Sequence, residues 1–109
     1  MPFTERNLAR AQLGTTLGTL YTTGAGTTPL VKNIVLSNSD TVNRAASIWL
    51  VASGGTVAGS NVLLDQVSVP TKGIIDWSGF QVMGTGSTIQ GSAAAANVIA
   101  VNIGGAEIT

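Results

Sequence analysis

Short runs rich in Val, Ile and Leu alternate along the chain with clusters of Gly, Thr, Ser, Asn and Asp. Runs of this length between turn-forming residues are typical of antiparallel strands. The pattern predicts eight short strands, at 17–22, 30–37, 46–52, 62–69, 73–77, 80–83, 88–91 and 98–108. Such a series predicts an all-β chain, folded as an antiparallel β-sandwich with a jelly-roll-like winding.

Alternation of residues within the predicted strands separates an inner face from an outer face. Leu30, Ile34 and Leu36 share the inner face of the second predicted strand. Val31 and Val35 fall on its other face, where contact with water alone favours polar side chains. The pattern therefore favours a sandwich whose outer surface is partly covered by another protein.

The first thirteen residues follow a different pattern. Residues 4–13, TERNLARAQL, hold three of the ten charged side chains in the chain. Thr4 precedes Glu5 as a helix cap would, and Leu8 and Leu13 can share one stripe of a helix. We therefore predict a short helix or ordered arm over residues 1–13, followed by a β-sandwich domain over residues 14–109. The residues of this arm expected to bind a partner are Phe3, Glu5, Arg6, Leu8, Arg10 and Leu13.

Composition narrows the classes of function. Charged residues make up 9% of the 109 residues, about a third of the usual share, and the formal net charge is zero. Nucleic acid requires a concentrated basic surface, which this balance does not favour. The chain has no Cys or His, so thiolate chemistry, the commonest general base and the commonest metal ligand are missing. We expect no enzymatic activity, no catalytic residues, no cofactor, no metal, and neither nucleic acid nor membrane as a partner.

Two pairs of residues need to be weighed as candidate sites. Asp65 and Asp76 have the chemistry of an acid–base pair, but their neighbours show no hydrolase signature, so structural roles are favoured. Trp49 and Trp77 are expected to fill the core or a subunit interface, as large aromatics commonly do. An exposed Trp77 would instead suit a glycan-binding module for adhesion, which is the less favoured alternative.

Four stretches spread along the chain are GTLYT, VKNIVLSN, GSTIQGSAAAANV and GGAEI. In this order they resemble small virion proteins of tailed bacteriophages, in which an N-terminal arm precedes a β-sandwich. Ser87 stands where the family tends to have an acidic residue.

The resemblance implies a decoration or cement protein that is made in the host cytoplasm and located on the capsid surface of the virion. Such a protein would form a homotrimer and stabilise the capsid by bridging neighbouring subunits of the major capsid protein. A collar, tail or fibre-associated virion protein is the main alternative within the same class.

Overall fold

The computed structural model describes residues 3–109, which form eight strands in two sheets. One sheet has the strand order β1-β8-β3-β6, the other has the order β2-β7-β4-β5, and the paired strands are antiparallel. The predicted all-β antiparallel sandwich is therefore confirmed. The strands are β1 Phe3–Gln12, β2 Gly18–Thr22, β3 Thr28–Asn38, β4 Arg44–Val51, β5 Val62–Val69, β6 Ile74–Val82, β7 Thr88–Ala93 and β8 Ile99–Ile108.

The strand pairs are nested within one another along the chain. β1 pairs with β8, β2 with β7, β3 with β6, and β4 with β5. Two further pairs, β3 with β8 and β4 with β7, complete the sheets. This nesting is compatible with the jelly-roll-like winding that we expected.

The core lies between the two sheets and consists mainly of branched aliphatic side chains. Ile34 and Leu36 of β3 are fully buried, as the alternation predicts. Val31 is also fully buried, although the alternation assigns it to the outer face. The register shifts between Val31 and Asn33, so Lys32 is an extra residue that returns Val31 to the inner face. Other fully buried core residues are Ile48, Val69, Ile89, Ile99 and Ile103.

Residues 3–12 form strand β1, so the predicted N-terminal helix is wrong. β1 pairs with β8 from Phe3↔Ile108 to Gln12↔Ala100, with a register shift between Asn7 and Ala9. Because of this irregularity the consecutive residues Leu8 and Ala9 are both buried, which imitates the apolar stripe of a helix. The first two residues of the predicted arm lie outside the described residues. A separate domain beginning at residue 14 stays a prediction.

The strands predicted at 73–77 and 80–83 are one continuous strand, β6. Ser78 and Gly79 interrupt its apolar run and lie where the register against β3 shifts. The sequence pattern therefore predicts a break between two strands at this irregularity. The predicted number of strands nevertheless agrees with the structure, because the divided β6 offsets the missed β1.

Two consecutive glycines allow β8 to pass close to β3 where the register shifts. A Cβ atom on Gly105 would lie 1.9 Å from the carbonyl oxygen of Leu30, so no larger residue fits there. The neighbouring Gly104 donates its backbone N–H to Oδ1 of Asn33 at 3.0 Å. The GG of the GGAEI stretch therefore has a packing role in the sheet.

Candidate protein–protein interface

The two lateral sides of the sandwich differ in the bonding between the sheets and in the exposure of apolar side chains. We call the side where β1 and β2 form the sheet edges the closed side, and the side where β5 and β6 form them the open side. On the closed side, side chains from both sheets bond one another. On the open side, apolar side chains of β5 and β6 stay partly or largely exposed. The open side is therefore the better candidate for contact with another protein.

Glu107 of β8 joins three strands on the closed side. Its Oε1 accepts a hydrogen bond from the guanidinium of Arg6 in β1 at 2.8 Å, and its Oε2 accepts one from the hydroxyl of Tyr21 in β2. Tyr21 belongs to one sheet, whereas Arg6 and Glu107 belong to the other. The cluster therefore ties the two sheets together.

The pKa values of Glu107 and Tyr21 are both shifted by this arrangement. The hydrogen bond from Tyr21, assisted by Arg6, holds the pKa of the Glu107 carboxyl below its usual value despite partial burial. Burial, reinforced by the hydrogen bond to Glu107, raises the pKa of Tyr21 to about 12. At neutral pH the carboxylate is therefore ionised and the phenol is protonated, which is the combination that the hydrogen bond requires.

On the open side, β6 exposes three large apolar side chains. Ile74 is 59% exposed, Phe80 is 61% exposed and Val82 is 60% exposed. They share a nine-residue edge strand that is paired, among the described strands, with β3 alone. A long apolar edge strand is the kind of surface that pairs readily with another chain. These residues form the candidate interface.

Trp77 lies at the inner rim of the open side. Its partner across the ladder is the fully buried Ile34, and the indole packs against the core while remaining half-buried. The ring also covers Gly79, where a Cβ atom would lie 2.9 Å from an indole carbon. A flat sugar-binding platform needs a free indole face, and this packing leaves Trp77 only partly accessible.

A cleft of about 420 Å³ opens where the end of β6 faces the start of β5. Its lining includes Leu50, Val62, Leu63, Val82 and Met83, together with polar groups such as Asn61 and Ser87. Met83 is buried, whereas Val82 beside it is mostly exposed. The cleft therefore continues the apolar surface of β6 toward the other sheet.

The structure divides the predicted arm residues into two groups. Leu8 and Leu13 are buried in the core of the sandwich, and a partner-binding role for them stays a prediction. Glu5, Arg6 and Arg10 are exposed, and Arg6 pairs with Glu107 of its own chain. The side chain of Phe3 lies outside the described part of the chain. Partner binding by Glu5, Arg6 and Arg10 stays a prediction.

Trp49 and Trp77 belong to different sheets, and the structure does not bring them together. Trp49 pairs with Gln90 across the ladder and points away from the core, opposite in sense to the inward Ile48. It is half-buried beside a shallow depression that Gln66 also lines. A role of either tryptophan at a subunit interface stays a prediction.

Ile74, Phe80 and Val82 were not among the site residues predicted from the sequence. These residues and Asp76 occupy alternate positions of β6, so their shared face was readable in principle, but its exposure was not. The division of β6 into two short strands concealed that regularity. A continuous strand over 74–82 was therefore the signal required to find this surface.

Asp65 and Asp76 are exposed on two different edge strands, β5 and β6. Within residues 3–109, no group of three or more His, Cys, Asp or Glu side chains is placed to hold a metal ion. The same residues contain no helix with the length and apolar character needed to span a bilayer.

The sequence matches no known protein-family model and no curated protein. Among solved structures, a chain in the structure of infectious bursal disease virus, Gx strain, is similar with a TM-score of 0.49 and 12% sequence identity. The match covers 97% of this chain and 32% of the other, so this chain spans about a third of that chain's length. The function has to be inferred from the residues of this chain.

Proposed function

We propose that this protein is a structural component of a bacteriophage virion that decorates the capsid surface and bridges neighbouring capsid subunits, without enzymatic activity. The observation that carries the proposal is the exposed apolar edge formed by Ile74, Phe80 and Val82 in a chain of zero net charge. Large exposed apolar patches on sandwich domains mark sites of protein contact. The resemblance of GTLYT, VKNIVLSN, GSTIQGSAAAANV and GGAEI to small phage virion proteins supplies the setting.

The arrangement of the two sides suits such a role mechanically. On the closed side, Glu107 links the two sheets through its hydrogen bonds from Arg6 and Tyr21. The open side presents apolar groups that lose contact with water when they dock against the major capsid protein. Bridging would make individually weak contacts effective. A copy that has bound one capsid subunit is held close to the next subunit and meets it at a high effective concentration.

The charged residues of β1 fit the same proposal on a second surface. Arg10 is exposed on the outer face of its sheet, beside a shallow depression that includes Val35, Ser37 and Asn102. A capsid subunit seated there would meet one cation in a mostly neutral surface. Salt would weaken that contact, since exposed ionic interactions are screened.

The experiment that tests the proposal is the copy number of the chain in purified virions, measured by quantitative mass spectrometry against the major capsid protein. A number comparable to that of the major capsid protein supports decoration of the head. A number that fits a single ring would instead favour the collar, tail or fibre location. Absence from virions would overturn the proposal.

The adhesion alternative is tested separately with the isolated protein. Sugar binding at Trp77 would change the tryptophan fluorescence during a titration with glycans. We expect no change, because the indole is packed against the core and covers Gly79. A saturable change that the Trp77→Phe variant abolishes would favour the adhesion module over the capsid role.

A further inference from the structure

The four edge strands of the described sheets differ in how well they resist pairing with another chain. β1 carries Glu5, Arg6 and Arg10, and charged residues on an edge oppose edge-to-edge association. β2 has only five residues, Gly18–Thr22. β5 is interrupted by register shifts and by the left-handed backbone of Gln66, whose φ is 47°. Each of these three edges is therefore protected by charge, shortness or irregularity.

β6 lacks most of this protection. It has nine residues, no Lys, Arg or Pro, and a single charged side chain, Asp76. Its one irregularity lies between Ser78 and Gln81 and bends the strand near its middle. The segments on either side of the bend keep a regular register with β3. The backbone N–H and C=O groups that point away from β3 are thus arranged to accept a further strand.

The order of residues in β6 is complementary to itself in antiparallel orientation. With a two-fold axis at Ser78, Ile74 of one copy lies opposite Val82 of the other, so exposed apolar groups meet. In the same register Trp77 lies opposite Gly79, which places the largest side chain of the strand beside the smallest. We propose that β6 pairs with β6 of a second copy of this chain about this axis.

Charge disfavours a shifted register that has its axis at Asp76. An axis at Ser78 sets Asp76 opposite Phe80, so the two Asp76 carboxylates are about 14 Å apart, four residues along a strand. An axis at Asp76 would put the two carboxylates directly opposite each other, and like charges in that position are destabilising. A second copy fits β6 because the strand has no other charge that would need an oppositely charged partner.

The pairing would join the two sheets that contain β6 into one continuous sheet of eight strands, four from each copy. It would also shield Ile74, Phe80 and Val82 from water, so a second copy and a capsid subunit would compete for this surface. The contact is small beside a permanent interface, so the dimer is expected to be reversible. The inference does not rest on the proposed function, because it concerns two copies of the purified chain and needs no capsid.

The first test is sedimentation equilibrium of the full chain and of the Phe80→Glu variant. The wild-type chain should show a reversible monomer–dimer equilibrium, and Phe80→Glu should weaken it by at least about tenfold, since the new carboxylate would lie directly opposite Asp76 of the other copy, where like charges are destabilising. The matched control is Leu17→Glu, which changes another exposed apolar residue, 41% exposed and outside β6, and should leave the dimer intact. Circular dichroism verifies that each variant is folded.

Three outcomes of this experiment would overturn the inference. They are a monomeric wild-type chain, a trimer, and a dimer that Phe80→Glu leaves unchanged. A trimer would agree with the oligomer that the resemblance implies. None of these outcomes decides whether the protein is present in virions, so failure of this inference and failure of the proposed function are distinguishable.

The second test uses the lack of cysteine in the chain. A Ser78→Cys variant places one thiol of each copy on the proposed axis, where directly opposed residues are close enough for a disulfide. Mild oxidation should give a covalent dimer. The matched control is Ser68→Cys, an exposed serine on edge strand β5. Equal crosslinking of both variants, or crosslinking only at Ser68→Cys, would overturn the inference.

Discussion

On both the closed and the open side of the sandwich, two sheet edges face each other. The two sides differ in how well side chains cover the core between those edges. On the closed side, Arg6, Tyr21 and Glu107 bond across the edges, and Leu13 seals the core with 1% of its surface exposed. On the open side, Trp77 and Leu63 only partly cover the core, and Phe80 remains mostly in water. The difference indicates that the closed side serves folding and that the open side remains available for association.

The largest effect that distinguishes the two sides is expected from truncation of a leucine on each. Leu13→Ala should lower the free energy of unfolding by about 3 kcal/mol, because a fully buried leucine leaves a cavity. Leu63→Ala on the open side should cost about 1 kcal/mol, since its side chain is only partly buried. Urea denaturation of both variants measures the difference. Equal losses would show that the open side is as important for folding as the closed side.

The core could be predicted from the sequence because it depends on local patterns. Runs such as VKNIVLSN and NVIAVNI place branched residues at alternate positions, and Ile34, Leu36, Val101 and Ile103 are buried as that alternation requires. The same local rule fails wherever an extra residue enters a strand. Val31 and Leu8 are both in the core because register shifts at Lys32 and Leu8 change which side chains face inward.

The candidate interface could not be read from the sequence for a related reason. Whether Phe80 is inside or outside depends on the pairing of β6 with β3, two strands separated by 35 residues of chain, 39–73. The roles of Arg6 and Arg10 depend likewise on which residues β8 brings beside them. Arg6 meets Glu107, about a hundred residues away in the sequence. Local patterning carries no information on such long-range partners.

A smaller effect is expected when the charge of Glu107, which bonds the closed side, is removed. The folded-state pKa of Glu107 lies below its ordinary value, chiefly through the hydrogen bond from Tyr21. The stabilisation is therefore complete above the pKa of the unfolded chain and is lost as the pH falls through the folded pKa. Glu107→Gln should lower stability at pH 7 by about 1 kcal/mol and reduce the loss of stability on acidification below about pH 4.5.

The measurement is the urea midpoint as a function of pH for both proteins. Asp40→Asn is the matched control, because the hydrogen bond from Arg44 also lowers the pKa of Asp40, which lies in the β3–β4 connection away from both sides. That variant should keep the acid-dependent loss that comes from Glu107. An unchanged pH profile in Glu107→Gln would mean that the cluster does not hold the closed side together.

The smallest effect is expected on the open side, and it separates folding from association. Phe80→Ala should change the free energy of unfolding of the dilute protein by no more than about 0.5 kcal/mol, because 61% of the side chain is already in water. Trp77→Ala, three residues earlier, should cost more, since its indole packs on the core. At high protein concentration the wild-type chain should gain thermal stability that Phe80→Ala lacks, because association stabilises the folded chain by mass action. A large loss in dilute Phe80→Ala would place this residue among those that hold the sandwich together and would remove the distinction between the two sides.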